Sequence, residues 1–555
     1  MQRIVWKTAA ALVLNLALAL SVLAQERVIT GQITSKSDDQ ALPGASIVVE
    51  GTNRGTTTDA SGNFRLAVPT DARRLTVSAV GYVKQTLDIG NQTTFNVALD
   101  EANRQLDEVI VTALGISQEK KSLTYSAQQV GGDELLRARE VNIVNSLNSK
   151  VAGVQIISQG GTPGAASSIN IRGKSSFQGS SQPLFVVDGV PVNNSFSTVA
   201  SSASVDNSNR AVDINPDDIE SISVLKGPAA TALYGIQAGS GVVLITTKKG
   251  SRSDVRRTTV SYNSTASVEE VNRYFPLQDQ FAQGTNGAYS DVPGQTFAFG
   301  PRISDLRYSS TLTDARYPQG RIVPATDPTA GPNVPQVFDN QRNFYQRGRT
   351  FDNHVSVSSG NRDGNLYFSV GRLAQTGVIP RNTFDRTTVK LSGESALSAK
   401  LRISASATYV NSGGNRVGRG DNFTGVTQGI YRTPPHFDIF NGQSDPTNPL
   451  AYQFPNGSQR SFRNRDQIDG MNPSDLGLGP DGPLWTVNKN PYRDRVDRVY
   501  GFGQVNYQLL PWLSAMFRGG ADVFTDRRVA AFDIGSFGGD GRFGRIFEET
   551  FVNKT

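Results

Sequence analysis

From about Ser251 onward the chain keeps a period of two, and that period limits the possible folds more than any other feature of the sequence. Lys400 to Val410 puts Leu401, Ile403, Ala405, Ala407 and Tyr409 on one face and Arg402, Ser404, Ser406 and Thr408 on the other, as a strand does. Leu366, Phe368 and Val370 repeat the pattern, as do Val505, Tyr507 and Leu509 against Gln504, Asn506 and Gln508. Short turns join some of these strands, at Gly360 to Asn365 and at Leu510-Pro511-Trp512. Long polar stretches, Tyr274 to Arg349 and Asn411 to Asp497, separate others. A soluble sandwich has the same period, so alternation alone leaves sandwich and membrane barrel open. Short turns at one end and long loops at the other favour the barrel, with Tyr507 and Trp512 placed for an aromatic girdle.

The N-terminus points to export. Arg3 and Lys7 form a charged start, Ala9 to Leu20 is apolar apart from Asn15, and Val22-Leu23-Ala24 supplies small residues before Gln25. This is the pattern of a secretory signal over residues 1–24, too short and without the flank of a membrane-spanning helix. Beyond it no run of ~18 consecutive apolar residues occurs. Any later crossing of a membrane must therefore be made by strands.

Composition narrows the chemistry. The 55 glycines in 555 residues suit turns and loops better than long helices. A formal charge of +6 is mild for this length, and no dense basic block suggests nucleic acid. Cysteine is absent, which removes disulfides, thiolate metal sites and cysteine nucleophiles. The two histidines, His354 and His436, lack the HxxE spacing of a zinc carboxypeptidase. Gly173-Lys174-Ser175 lacks the glycine a phosphate loop needs at the position of Ser168. Gly239-Ser240-Gly241 and Gly501-Phe502-Gly503 lack the third glycine of a dinucleotide fingerprint. Arg419-Gly420-Asp421, in a Gly- and Asn-rich loop, reads as a chance match to an adhesion tripeptide. Glu269-Glu270 and Asp217-Asp218 read as solvated or helix-start charge. No GxSxG nucleophile elbow occurs. No catalytic residue, cofactor or metal site is expected.

Ahead of the alternating region lie three further segments. Val28 to Leu99 carries short β-prone runs separated by turn clusters such as Leu42-Pro43-Gly44 and Asp59-Ala60-Ser61-Gly62, the spacing of a small β-sandwich. After a polar linker, Asp100 to Gln105, Leu106 to Ile116 (LDEVIVTALGI) is a short strand-former standing alone between domains. It is either an edge strand of a neighbour or a peptide that adds to a partner's sheet. Ser117 to Gly250 mixes helix and strand signals. Val144, Leu147 and Val151 share a helical face between a possible cap at Asn142 and a stop at Gly153, and Ile169 to Gly173 alternates as a strand. Pro183 to Val192 is a hairpin with Asp188-Gly189 at its turn. Within Asn215 to Gly250, Pro216, Asp217 and Asp218 suit a capped helix start, Ile222 to Leu225 a strand, Ala229 to Tyr234 a second helix stopped by Gly235, and Val242 to Thr247 a buried strand.

The wording of these segments resembles one family. LPGASIVVEGTNRGTTTDASGNFRL is similar to the carboxypeptidase-regulatory-like domain of SusC-like TonB-dependent outer-membrane transporters. DEVIVTA resembles a TonB box, and LNSKVAGVQI, INIRG, LFVVDGVPV and the stretch Asn215 to Gly250 resemble their plug domain in the same order. The resemblance implies a mainly β protein: signal peptide 1–24, Ig-like β-sandwich 27–100, TonB box 106–116, α+β plug 117–250, and over 251–555 the first strands of a large antiparallel transmembrane β-barrel. It implies import of an oligosaccharide, or a peptide, across the outer membrane without catalysis. The implied partners are a SusD-like surface lipoprotein and TonB with ExbB/ExbD. TonB would pair with Asp107, Glu108, Val109, Ile110, Val111, Thr112 and Ala113. A siderophore or cobalamin receptor generally lacks the sandwich, and a secreted adhesin or glycan-binding protein needs neither box nor plug. About seven or eight strands fit after the plug, against about 22 in a closed plugged barrel, so the chain reads as the front part of a longer transporter.

Overall fold

The computed structural model describes residues 26–555 apart from 53, 70–71, 102–108, 112–116, 120–125, 138, 159, 174–181, 195–204, 206, 228–231, 251–256, 291–296, 314–318, 419–424, 463–480 and 537–543. The expected signal segment, Lys174-Ser175 and the Arg419-Gly420-Asp421 tripeptide lie outside the described residues. The chain divides into two units, Met1–Glu108 and Val109–Thr555.

In the first unit Glu26–Ser35 runs antiparallel to Asn63–Pro69 and parallel to Thr94–Leu99. A second sheet orders Gly55–Thr57, Ser46–Val49, Arg74–Ser78 and Gln85–Asp88. Alternate residues of both sheets, among them Ile29, Ile33, Ile47, Val49, Phe64, Leu75 and Val77, fill one core. This is the sandwich its turn spacing predicts.

The second unit begins with a mixed five-stranded sheet. Its strands are β1 (Ser126–Gly131), β2 (Leu184–Val187), β3 (Val190–Val192), β4 (Ile219–Lys226) and β5 (Val242–Thr247), in the order β1-β4-β5-β2-β3. Val243 and Ile245 of β5 face one core with Leu147 and Ile169, while Val242 and Leu244 face another with Leu225. Burial on both faces is why Val242–Thr247 is almost continuously apolar. The β2–β3 turn places Asp188 at φ 48° and Gly189 at φ 86°, as an Asp-Gly hairpin requires.

One expected helix is shorter than its sequence pattern. Val144, Leu147 and Val151 are buried as anticipated, and Asn142 Oδ1 accepts from Val144 N at 3.1 Å. Only one 3-10 turn forms, however, over Asn145–Leu147, and Ser149 turns the chain away at φ 62°. Gly235, at φ 69°, ends the first turn at Tyr234, where its sequence predicts a stop, and a second turn follows to Ala238. Residues 228–231, where the second expected helix starts, lie outside the described ones.

Eight antiparallel strands follow in sequence order: β6 (Arg257–Glu269), β7 (Gly348–Gly360), β8 (Gly364–Thr376), β9 (Thr383–Ala396), β10 (Leu401–Arg416), β11 (Tyr492–Leu510), β12 (Leu513–Phe532) and β13 (Arg545–Lys554). The short turns, 361–363, 397–400 and 511–512, share one end of this sheet, and the long connections share the other. Outward faces are apolar: Tyr262, Val355, Val370, Val389, Tyr409, Val499 and Val523 pair in one row, and Phe368, Leu391, Ala407, Gly501 and Ala521 in the next. The β10–β11 connection is less of a polar loop than its composition suggests. It carries the short helices Val426–Arg432, Pro449–Tyr452 and Pro483–Lys489, which bury Ile430, Tyr452 and Trp485 together with Phe344 from the β6–β7 connection.

Candidate functional site

The plug sheet and its connections lie against the inner face of β6–β12 through many hydrogen bonds and ion pairs, with apolar contacts where Val410 and Tyr500 join the plug core and Val212 meets Leu373 and Phe384. Alternation explains why. Once β8 sends Leu366, Phe368 and Val370 outward, Tyr367, Ser369 and Gly371 must point inward. Gly371 is needed there, since a Cβ at that position would lie 2.5 Å from Asn215 Nδ2.

Asp218, at the 3-10 turn Pro216–Asp218, is the focus of the first cluster. Its Oδ1 accepts from Tyr367 Oη at 2.9 Å and from Ser369 Oγ at 2.6 Å, and His354 Nε2 of β7 lies 3.1 Å away. Burial raises the carboxyl's pKa, but the hydrogen bonds and charge of His354 and the Ser369 hydrogen bond outweigh it, leaving Asp218 below the ordinary aspartate range. Asn263 of β6 donates to Asp217 at 2.9 Å, and Asn215 Nδ2 donates to Thr388 of β9 at 3.0 Å. Asp217 and Asp218 thus stand in a first turn capped by Asn215, as their sequence indicates, but buried and partnered rather than solvated; 136 residues separate Asp218 from its histidine.

The second cluster holds four arginines and four aspartates whose side chains are at most 4% exposed: Arg210, Arg416, Arg498 and Arg528 against Asp213, Asp494, Asp522 and Asp526. Arg498 of β11 makes a two-pronged contact with Asp522 of β12, Nε and Nη2 each at 2.8 Å. Its Nη1 donates to Asp213 Oδ2 at 3.2 Å and to the Arg210 carbonyl at 2.9 Å, both in the plug. Arg416 of β10 pairs with Asp494 at 2.8 Å and donates to the plug at the Pro163 carbonyl (2.9 Å) and Ser208 Oγ. Equal numbers of opposite charges leave the cluster neutral, which makes its burial tolerable. Between the clusters, Arg386 of β9 donates to the Val212 carbonyl at 2.7 Å, and Lys390 to Thr247 Oγ1 at 2.8 Å.

The polar contacts of this interface can be exchanged for hydrogen bonds to water, which suits a seat for a movable part. Among the described residues no group of three or more His, Asp or Glu could hold a metal ion. Sequence reasoning missed these residues because it assigns a strand's two faces without saying what either faces. The signal it left was Asp494 and Arg498, in phase on one strand.

Of the residues expected to bind TonB, Val109–Val111 form a short strand antiparallel to Ser117–Glu119. Asp107, Glu108, Thr112 and Ala113 lie outside the described residues.

Comparison with known proteins agrees with this arrangement. Residues 29–111 match the CarboxypepD_reg-like domain and residues 119–242 the TonB-dependent Receptor Plug Domain. The chain is similar to the TonB-dependent receptor SusC of Bacteroides thetaiotaomicron, 29% identical over 88% of this chain and 44% of SusC. A TonB-dependent receptor of Formosa agariphila is 29% identical over 76% of this chain and 37% of the relative. The chain therefore spans less than half the length of these relatives. Its fold is similar to that in the structure of the RagAB peptide importer in the open-open state, with TM-score 0.57 and 21% identity over 80% of this chain and 45% of the other. The chain thus carries, in order, a CarboxypepD_reg-like domain and a TonB-dependent Receptor Plug Domain, and along most of its length it is similar to SusC-like TonB-dependent transporters.

Proposed function

We propose that this chain serves the TonB-dependent import of a nutrient across the outer membrane, after export directed by residues 1–24, and that it performs no catalysis. The observation that carries this reading is the polar seat of the plug: a stopper fastened by neutral clusters of hydrogen bonds and paired charges, beside a strand-forming segment at its N-terminal end. An oligosaccharide is the preferred cargo and a peptide the second, the latter favoured by the fold shared with a protein described as a peptide importer. A SusD-like surface lipoprotein delivers the cargo at the long-loop end. Cargo binding shifts the plug, and TonB, energised through ExbB/ExbD, pairs with Asp107–Ala113 by strand addition. The hairpin of Val109–Val111 with Ser117–Glu119 has only three residue pairs, so opening it costs little. Pulling then breaks polar contacts in sequence and clears a passage.

Deleting Asp107–Ala113 tests the reading. Uptake of the cargo is expected to vanish while the amount of protein at the cell surface stays normal; undiminished uptake overturns the energised mechanism.

A further inference from the structure

The outward wall of the sheet carries a second polar feature, separate from the plug seat. Above the row Val370, Val389, Tyr409, Val499 and Val523, toward the long connections, the register places Arg372, Thr387, Asn411, Asp497 and Thr525. The row beyond holds Asp385, Gly413, Arg495 and Arg527. All of these are in phase with the outward apolar residues of their strands, so they stand on the outer surface. A cleft of about 650 Å³ opens among Arg372, Asp385, Asn411, Arg493, Arg495 and Arg527, and outward-facing Gly413 leaves its floor without a side chain.

The charges in this cleft do not balance. Arg372 pairs with Asp385 at 3.0 Å, and Arg527 with Glu548 at 2.6 Å. Arg493 and Arg495 form no ion pair with any described residue; Arg495 makes one 3.4 Å hydrogen bond to Asn411. The nearby Asp497 is taken by Tyr409 and Asn411, and Asp494 points inward to Arg416. Arg495 moreover stands directly across from Arg527, an arrangement of like charges that disfavours strand pairing unless an anion lies between them. Each guanidinium can hold phosphate oxygens two at a time. The apolar rows immediately below suit acyl chains.

We propose that this outward cleft binds the phosphorylated headgroup of an outer-leaflet glycolipid, with Arg493 and Arg495 on the phosphate and Val499, Val523 and Tyr409 against its chains. The proposal rests on the outer-membrane reading above. Its consequence is an anchor that fixes the long-loop end of the wall at the membrane surface, so that force on the plug is resisted by the lipid layer.

The test uses the full-length transporter in nanodiscs, with bisphosphorylated lipid A, dephosphorylated lipid A and inorganic phosphate as probes in native mass spectrometry. The wild type is expected to retain bisphosphorylated lipid A, and R493Q/R495Q to bind it roughly tenfold or more weakly. R493K/R495K should keep part of the affinity, and Arg257→Gln, at the opposite end of the sheet, should keep all of it. Equal retention by wild type and R493Q/R495Q overturns the proposal, as does equal binding of the dephosphorylated lipid. Displacement of the lipid by stoichiometric inorganic phosphate would show a free-anion site instead. Failure of the outer-membrane reading looks different: the wild type itself would not insert into the bilayer.

Discussion

Removing Arg416 would strand Asp494 in a fully buried position, with Pro163 and Ser208 of the plug also losing their donor. Breaking one half of a buried pair costs about 3–5 kcal/mol, whereas replacing both halves by apolar groups of similar volume is often near neutral. Arg416→Met is therefore expected to lower stability by about that amount, and Arg416→Met with Asp494→Leu to recover most of it. Urea unfolding of the inserted protein reads both; equal losses in the single and double variants would contradict the paired-charge account. Asp218 adds a dependence on pH. Its folded pKa is lowered, so its contribution is fully present above the unfolded aspartate value, about 3.9, and is lost as pH falls through the folded value below that. Pepsin cleavage of the plug should rise as pH drops below about 3.9 in the wild type. In Asp218→Asn the plug should already be easier to cleave above that pH, with no such step. None of these partnerships was legible in the sequence, because Asp213 and Arg498 are 285 residues apart and meet only once the wall is built.

At the scale of elements, local chemistry decided what could be read. The Asp-Gly turn between β2 and β3 and the buried run of β5 stand where their residues indicated, since both are fixed by backbone preference and burial within a few positions. The apolar spacing of Val144, Leu147 and Val151 misled: a turn aiming three side chains into one core satisfies the same spacing as a helix. Element packing also explains a glycine in the wall. A side chain at Gly520 of β12 would collide with Val190 at the start of β3, so the hairpin tip rests on bare backbone. Gly520→Val should push this hairpin off the wall and open the seal. The expected result is raised sensitivity of cells to a bulky antibiotic that an intact outer membrane excludes, at unchanged surface levels of the protein. Unaltered sensitivity would mean that the β2–β3 hairpin is no part of the seal.

At the scale of the molecule, the alternation after Ser251 left two architectures open, and they make opposite demands on the outward face. In a soluble sandwich an exposed leucine lies in water, and changing it to arginine is nearly free. In a membrane barrel the same side chain faces hydrocarbon, and arginine near the midplane costs about 2–4 kcal/mol, falling to about 0–1 near the interface. The structure supplies the two positions needed. Leu391 is 51% exposed and sits in the row Phe368, Leu391, Ala407, Gly501, Ala521, below a second apolar row. Thr387, four residues along the same strand and on the same face, stands in the charged collar beside Arg372. Leu391→Arg is expected to cost about 2–4 kcal/mol and Thr387→Arg less than about 1, measured by urea titration of the protein folded into lipid vesicles. Similar small costs at both positions would return the wall to water and remove the basis for reading it as a barrel. A steep difference between two sites on one face is something only a lipid layer imposes, and it would locate the membrane boundary between the apolar rows and the arginine collar.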